Sequence, residues 1–423
     1  MKNLLLKCTM VLKDGSLRKR ILFIVAALAV FRLLANIPIP GVDKVALEQF
    51  FSSNQFLGLL NIFSGGGLSN LSIVMLGVGP YITASIIMQL LTMMFPKLKE
   101  MYHEEGDAGR KKFAQYSRIL MVPLAIIQGL SFIIILQRQG IIVDLPLLSM
   151  IANIAVIAAG SVFLTWLGEL MSEFGIGSGS SLIIFAGIVS RLPQTASQLL
   201  FSFSSSDLPL YLGFLVAACV VIAGVVAVME AERPVPITYA KSVRGSKVFG
   251  GVSTYLPLRL NQAGVIPIIF ALSILLFPQM ILQFLKNIDH ATIQAIATFL
   301  TGLLANQIFY AVTYFILVVL FTYFYTAVTF DPDSIAENLQ KGGGFVPGVR
   351  PGYHTAEYLG TIVTRITLVG ALFLGVIAVL PIVMQILTGF QALALGGTAL
   401  LIVVSVVLDL IRKIEAQVSM REY

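Results

Sequence analysis

Leu76-Gly77-Val78-Gly79-Pro80-Tyr81-Ile82 and Ala263-Gly264-Val265-Ile266-Pro267-Ile268-Ile269 decide how the rest of this sequence is read. Each opens a long apolar run and breaks it with glycine and proline, which loosen a helix or deny it a backbone donor. Gly/Pro-interrupted spans at matching places in two halves of a chain point to an inverted repeat with its working site between them. Glycine and proline are also common in membrane helices at large, so the pairing takes its weight from what surrounds it.

What surrounds it is almost wholly apolar. Of 423 residues, 57% are hydrophobic and 12% charged, and the mean hydropathy is +0.92. A soluble domain carries about 25% charged residues. A chain this poor in charge could not cover a wet surface, and lipid is the solvent that accepts it. A helical span needs ~20 mostly apolar residues. Such runs fall near 21–36, 72–95, 119–136, 150–170, 182–201, 209–229, 263–284, 308–330, 361–384 and 396–411, the fifth interrupted by Arg191 and Pro193. The fold class is an all-α polytopic membrane protein of about ten spans. It divides into halves 21–201 and 202–411 between an N-terminal segment, 1–20, and a short tail, 412–423. The quoted segments open the second span of each half.

Basic residues set the orientation. Of the 28 Lys and Arg, 22 fall in the two termini and the loops on their side, among them 96–118, 230–262 and 331–360. Only Lys44, Arg138 and Lys286 lie on the opposite side. Both termini therefore face the cytoplasm. Lys2 to Arg20 reads as a basic surface helix leading into the first span. The run from Ile21 ends in Phe31-Arg32 without a small-residue cleavage pattern, so no removable leader is expected.

The polar inventory is thin. Cys8 and Cys219 are far apart and make neither a disulfide framework nor a metal site. His103, His290 and His354 fall outside the spans, which argues against a buried histidine relay. Arg32, Glu169, Arg191, Arg365 and Asp409 lie in or beside spans, mostly near their ends, where long side chains reach the interface. Arg32 reads as a structural partner to another helix rather than an ion site. Paired intramembrane carboxylates, His-Glu-x-x-His and a phosphate loop are all absent, and Gly342-Gly343-Gly344 reads as a flexible loop. The chain is expected to be neither an enzyme nor a holder of any cofactor or metal.

Two features remain. Phe56 to Phe63 is apolar, too short to cross, and followed by Ser64-Gly65-Gly66-Gly67. Such a piece is either re-entrant, enclosed by protein or lining a cavity, or an amphipathic helix on the outer surface. Val78 and Ile82 share a helical face. They serve either ordinary helix packing or an apolar ring that blocks ions and water by dewetting.

Several longer stretches now bear on the choice. Phe31-Arg32 precedes Ile37-Pro38-Ile39-Pro40-Gly41, and Asn61-Ile62-Phe63-Ser64-Gly65-Gly66 leads to Pro80-Tyr81-Ile82-Thr83-Ala84-Ser85. Glu105-Gly106 with Gly109-Arg110-Lys111 comes next, then Trp166-Leu167-Gly168-Glu169 before Gly175-Ile176-Gly177 and Ile183-Ile184-Phe185-Ala186-Gly187-Ile188. Leu256-Pro257-Leu258, Pro347-Gly348-Val349-Arg350-Pro351-Gly352 and Gly396-Gly397-Thr398 complete the series. In this order, along nearly the whole chain, they resemble the SecY family, the central channel subunit of the bacterial Sec protein translocase.

That resemblance implies two pseudo-symmetric five-helix halves, a clamshell around an hourglass channel, in the cytoplasmic membrane of a bacterium. It maps an apolar pore ring onto Val78, Ile82, Ile184, Ile269 and Ile402. It implies a plug helix at about 56–70, with Leu59, Leu60, Ile62, Phe63, Gly65 and Gly66, and a lateral gate carrying Gln89, Gln128 and Phe277. Arg350 corresponds to a position needed by the motor, and Lys241, Arg244 and Lys247 fit motor or ribosome docking. The implied partners are the small subunits SecE and SecG, the SecA ATPase, the ribosome through rRNA phosphates, signal peptides and nascent chains, and anionic lipids. This chain departs from the family in three places. Ser180 replaces a further apolar ring residue, the tail is short, and Ser242, Val243 and Ser246 thin the charge of the 230–262 loop. The competing function is a multi-span secondary transporter of a small solute.

Overall fold

The computed structural model describes residues 14–40, 64, 66–68, 70–138, 140–142, 146–190, 193, 197, 208–239, 241–244, 247–250, 253–285, 291–388 and 391–422. Contacts divide the chain into two compact units. One comprises Met1–Gly213, Ser273–Ala305 and Phe390–Tyr423; the other comprises Phe214–Leu272 and Asn306–Gly389.

In the first unit, α1 (Gly15–Ala35) is capped by Asp14, whose carboxylate accepts from Ser16 N at 2.9 Å. The basic stretch Arg18 to Arg20 and the first span are thus one helix. Leu17, Ile24, Ala27, Phe31 and Ala35 bury one face, while Leu22, Val25 and Leu33 stay exposed on the other, as suits a helix between protein and lipid.

The second span does not begin at residue 72. Residues 72–78 form turns, and α2 runs Gly79–Met94. Gly77 takes φ +58°, a left-handed value that stops any helix entering from upstream, and Pro80 then starts the new helix where its missing N–H costs nothing. At Phe95 the chain bends by 116° into α3 (Pro96–His103), which leads to α4 (Gly106–Arg138). Then come α5 (Leu147–Phe174) and α6 (Gly179–Val189). The described part of the fifth span is this short helix; Arg191 and most of 192–201 lie outside the described residues.

Glycine sets the spacing within this unit. A Cβ on Gly179 would strike the Gly168 carbonyl of α5, and one on Gly160 would strike the Ile73 carbonyl. Small residues let backbones meet where lipid gives helices no hydrophobic reason to associate.

Later helices are α7 (Leu208–Glu230), α8 (Ile266–Leu285), α9 (Ala291–Ala305), α10 (Gln307–Thr329), α11 (Pro332–Lys341), α12 (Tyr353–Thr388) and α13 (Gln391–Glu422). Each expected span overlaps a helix, the second from Gly79 on and the fifth over its described first half. Among the described residues, four helices are long and apolar enough to cross a membrane alone, or five if the bent pair at Phe95 is one span. The α9 helix was expected as loop, and the last helix continues through the expected tail, with Lys413 paired to Asp409 at 2.7 Å.

The second unit carries a sheet where loops were expected. Strand β1 (Glu232–Tyr239) pairs antiparallel with β4 (Ser253–Arg259), and β5 (Gly344–Phe345) adds to its other side at Thr238 and Tyr239. Between β1 and β4, β2 (Lys241–Arg244) pairs with β3 (Lys247–Gly250). The triple glycine is not a flexible loop: Gly342 ends α11, Gly343 turns at φ +70° and Gly344 opens β5. Val235 and Leu258 of the sheet bury against Val346 and against Leu359, Ile362, Val363 and Ile366 of α12.

Substituting Gly160 by Ala forces the α5 backbone away from Ile73, and overpacking of this kind costs about 1–3 kcal/mol. The thermal unfolding midpoint of the detergent-solubilised chain should fall for Gly160→Ala. It should hold or rise for Gly15→Ala, whose new Cβ meets nothing within 4 Å.

Candidate functional site

The site starts from the segment Ser64 to Gly79. Its described backbone is a ladder of short turns. Gly67 N donates to Ser64 O at 3.3 Å, Leu71 N to Leu68 O at 3.1 Å, Met75 N to Ser72 O at 2.9 Å and Gly77 N to Val74 O at 2.9 Å. Ser64 Oγ, itself buried, accepts from Leu68 N at 3.0 Å. The segment is pinned from two sides. Ile39 N donates to Leu71 O at 2.8 Å and Ile73 N to Ile37 O at 3.0 Å, so Ile37-Pro38-Ile39 forms a short antiparallel bridge with it. From α5, Ser161 Oγ donates to Gly77 O at 3.0 Å. Leu71 holds φ +41°, a strained value for a bulky side chain, and it is fully buried with both its N–H and C=O bonded.

This platform presents Val78 at the mouth of α2. Val78, Ile184 of α6 and Ile402 of α13 belong to one apolar cluster, buried to 0%, 2% and 1% exposure, and Ile82 packs against it. Four of the five expected ring residues are therefore in one place. The fifth, Ile269, belongs to the other unit, on the first turn of α8, buried beside Ile268 and Phe270. Ser180, at the departure from the family pattern, shares a hydroxyl contact with Ser178 at 3.2 Å, and Ser178 also accepts from Ser181 at 3.2 Å. A polar patch thus adjoins Ile184.

Of the expected plug, Leu59, Leu60, Ile62, Phe63 and Gly65 lie outside the described residues. Gly66 is described: it is buried and turns at φ +88°. Of the expected lateral gate, Gln89 and Gln128 stand on α2 and α4, which pack together. Gln89 Oε1 is buried with no hydrogen-bond partner among the described residues. Phe277 lies within α8.

The residues expected to dock a partner sit on the second unit. Arg350 is exposed in the turn between β5 and α12, shaped by Gly348 at φ +84° and Gly352 at φ +91° and closed by Thr355 Oγ1 donating to Arg350 O at 2.9 Å. Arg244 stands opposite Lys247 and Lys241 opposite Gly250 in the β2–β3 ladder. Sequence reasoning missed this hairpin, although Arg244-Gly245-Ser246-Lys247 between two short β-rich runs is a turn signal. It also missed the partner of Glu169, which is Arg118 of α4 at 2.7 Å.

A helical membrane protein with a non-helical, hydrogen-bonded segment leading to a buried apolar cluster is compatible with a channel-like class. The model of the SecY family matches residues 72–411. The protein translocase subunit SecY of Thermus thermophilus is 43% identical, over 97% of this chain and 95% of that protein. Two solved structures share the fold. One, of a SecY channel whose plug domain was studied for its role in the closed state, has TM-score 0.64 at 20% identity, covering 93% of this chain and 91% of that one. The other, Sec61 in a canine ribosome-channel complex, has TM-score 0.59 at 19% identity over the same shares. The chain belongs to the SecY family. The small-solute transporter reading has no support in that family.

The expected ring is testable apart from its packing. Ile402→Asn should raise ion conductance through the reconstituted chain and admit weaker signal sequences, because one polar group lowers the dewetting barrier. If Ile402 serves packing alone, the substitution will lower the thermal midpoint and leave the leak at the parent's level.

Proposed function

We propose that this chain is a protein-conducting channel in the cytoplasmic membrane of a bacterium, with its N- and C-termini in the cytoplasm. It passes unfolded secretory proteins across and releases membrane-protein helices sideways into lipid. The observation that carries the reading is the pinned, non-helical Ser64–Val78 segment, whose last residue lies within the cluster of Ile82, Ile184 and Ile402. By the family pattern, Ile269 is the fifth ring residue. The segment at 56–70 acts as the plug.

Gating in this scheme is passive. A signal sequence holds ~7–15 apolar residues. Leu-like side chains leaving water gain about 1.5–3 kcal/mol each, on the order of 10–20 kcal/mol for the shortest such run. That is enough to part a few apolar side chains at a seam. The expected gate residues Gln89, Gln128 and Phe277 stand on α2, α4 and α8. The ring then closes around the translocating chain by apolar contact, which suits any sequence.

Energy for directed movement comes from outside the channel, from SecA or a translating ribosome. The small subunits SecE and SecG brace it, and anionic lipids contact its basic face. Arg350 and the hairpin cations Lys241, Arg244 and Lys247 form the docking face. Basic side chains there suit acidic motor surfaces and ribosomal RNA phosphates alike.

In proteoliposomes supplied with SecA and ATP, Arg350→Glu should cut translocation of a signal-bearing precursor more than about tenfold, the factor for ~1.4 kcal/mol of lost coupling. Unaltered translocation would remove Arg350 from the docking face. Reversing Lys241, Arg244 and Lys247 together should weaken ribosome binding and flatten its salt dependence, read by cosedimentation across a salt series.

A further inference from the structure

Two arginines left without a task by the channel reading line one cleft of about 440 Å³ in the second unit. Arg233 lies on β1, three residues past the end of α7, and Arg365 lies on α12. Chain arithmetic puts both at one depth. Residues 208–229 of α7 are uncharged, and so are residues 366–388 of α12. Helices of that length rise roughly 33–35 Å, close to the ~30 Å hydrocarbon layer. Each arginine therefore stands where hydrocarbon gives way to headgroups, and their shared cleft puts them on the same side.

The rest of the cleft fits a headgroup. Tyr358 has the amphipathic ring enriched at membrane interfaces, and Ile362 and Val349 supply an apolar wall. Glu357, with His354 Nδ1 3.9 Å from its carboxylate, offers an acceptor for a headgroup hydroxyl. Below the cleft the same face of α12 continues. Tyr358, Ile362, Arg365, Val369, Leu372 and Val376 follow three- and four-residue spacing. The last three are 54%, 44% and 56% exposed, and Leu368 beside them 46%.

We infer that this cleft binds an anionic phospholipid, its phosphate held by Arg233 and Arg365 and its acyl chains laid along the apolar stripe of α12. The inference sharpens the lipid contact proposed above. It rests on the chain's place in a membrane and not on translocation. A free phosphate would use the same guanidiniums but gain nothing from the stripe.

The test is native mass spectrometry of the full chain in detergent, titrated with phosphatidylglycerol, with phosphatidylcholine and, in a separate arm, with inorganic phosphate. Phosphatidylglycerol should be retained over phosphatidylcholine. Arg233→Gln and Arg365→Gln should each lower its retention about fivefold, the factor for ~1 kcal/mol per basic residue near an anionic surface. Arg365→Lys should restore most of the loss. Equal retention by the double arginine variant overturns the site. Displacement of the lipid by equimolar inorganic phosphate overturns it in favour of a free anion. A photo-crosslinker at Tyr358, on an otherwise unchanged chain in native membranes, provides a check independent of folding. Crosslinks to phosphatidylglycerol support the site, and crosslinks to a polypeptide alone overturn it. None of these readouts involves translocation, so failure here and failure of the channel reading are separate results.

Discussion

Hydrocarbon offers no hydrogen bonds, so each N–H and C=O carried into it must find a partner within the protein. Regular helices meet that demand without help. The segment from Ser64 to Val78 does not form one, and its backbone hydrogen bonds are made piecemeal, by consecutive turns, by the Ile37-Pro38-Ile39 bridge and by the Ser161 hydroxyl. Leaving even one buried group unmet would cost about 1–3 kcal/mol. Much follows from this one constraint. It fixes where α2 starts and so where Val78 stands. It explains why Gly160 must lack a side chain, because α5 has to come close enough to reach the Gly77 carbonyl. It also gives Leu71 a reason to hold its strained φ, since full burial and bonds on both sides outweigh a local cost of about 1–3 kcal/mol.

The second unit answers to a different solvent. Its sheet and the turn at Arg350 share a small apolar core with the first turns of α12, so Arg350 rides on a packed body fused to a span rather than on a slack loop. Proline shapes this sheet. Pro234 faces Pro257 across the β1–β4 ladder. Neither can donate, so both fit only where the missing N–H points away from the partner strand. On β1 that side is open except where β5 reaches Thr238 and Tyr239.

Hydropathy made the spans legible, because lipid selects for apolar length and little else. It could not see backbone angle. Residues 72–78 are as apolar as any helix, and only Gly77 hinted that they turn. The α9 run was too short to count as a span, and Pro234, Pro236 and Pro257 disguised two strands as loop. Within the Val78 cluster, helical spacing linked Val78 to Ile82. Nothing local linked them to Ile184 or Ile402, which lie more than a hundred residues away and carry no motif of their own; only the family pattern named them. Contacts between distant apolar residues leave no periodic trace.

The apolar cluster at Val78 invites two descriptions, a packed core and a closed gate, and physically they are one. A ring that holds back ions without charge must exclude water when shut, and side chains that exclude water are by definition packed. What separates a gate from a core is how easily it parts. Here the cluster is bordered on α6 by Ser178, Ser180 and Ser181, whose hydroxyls bond to one another rather than to the opposing helices. Their hydrogen bonds survive if the helices move apart, whereas hydroxyls bonded across the seam would have to be broken. On the proposed channel reading, an apolar ring beside a self-contained polar patch opens at the cost of apolar contact alone, and a translocating chain replaces that contact as it enters.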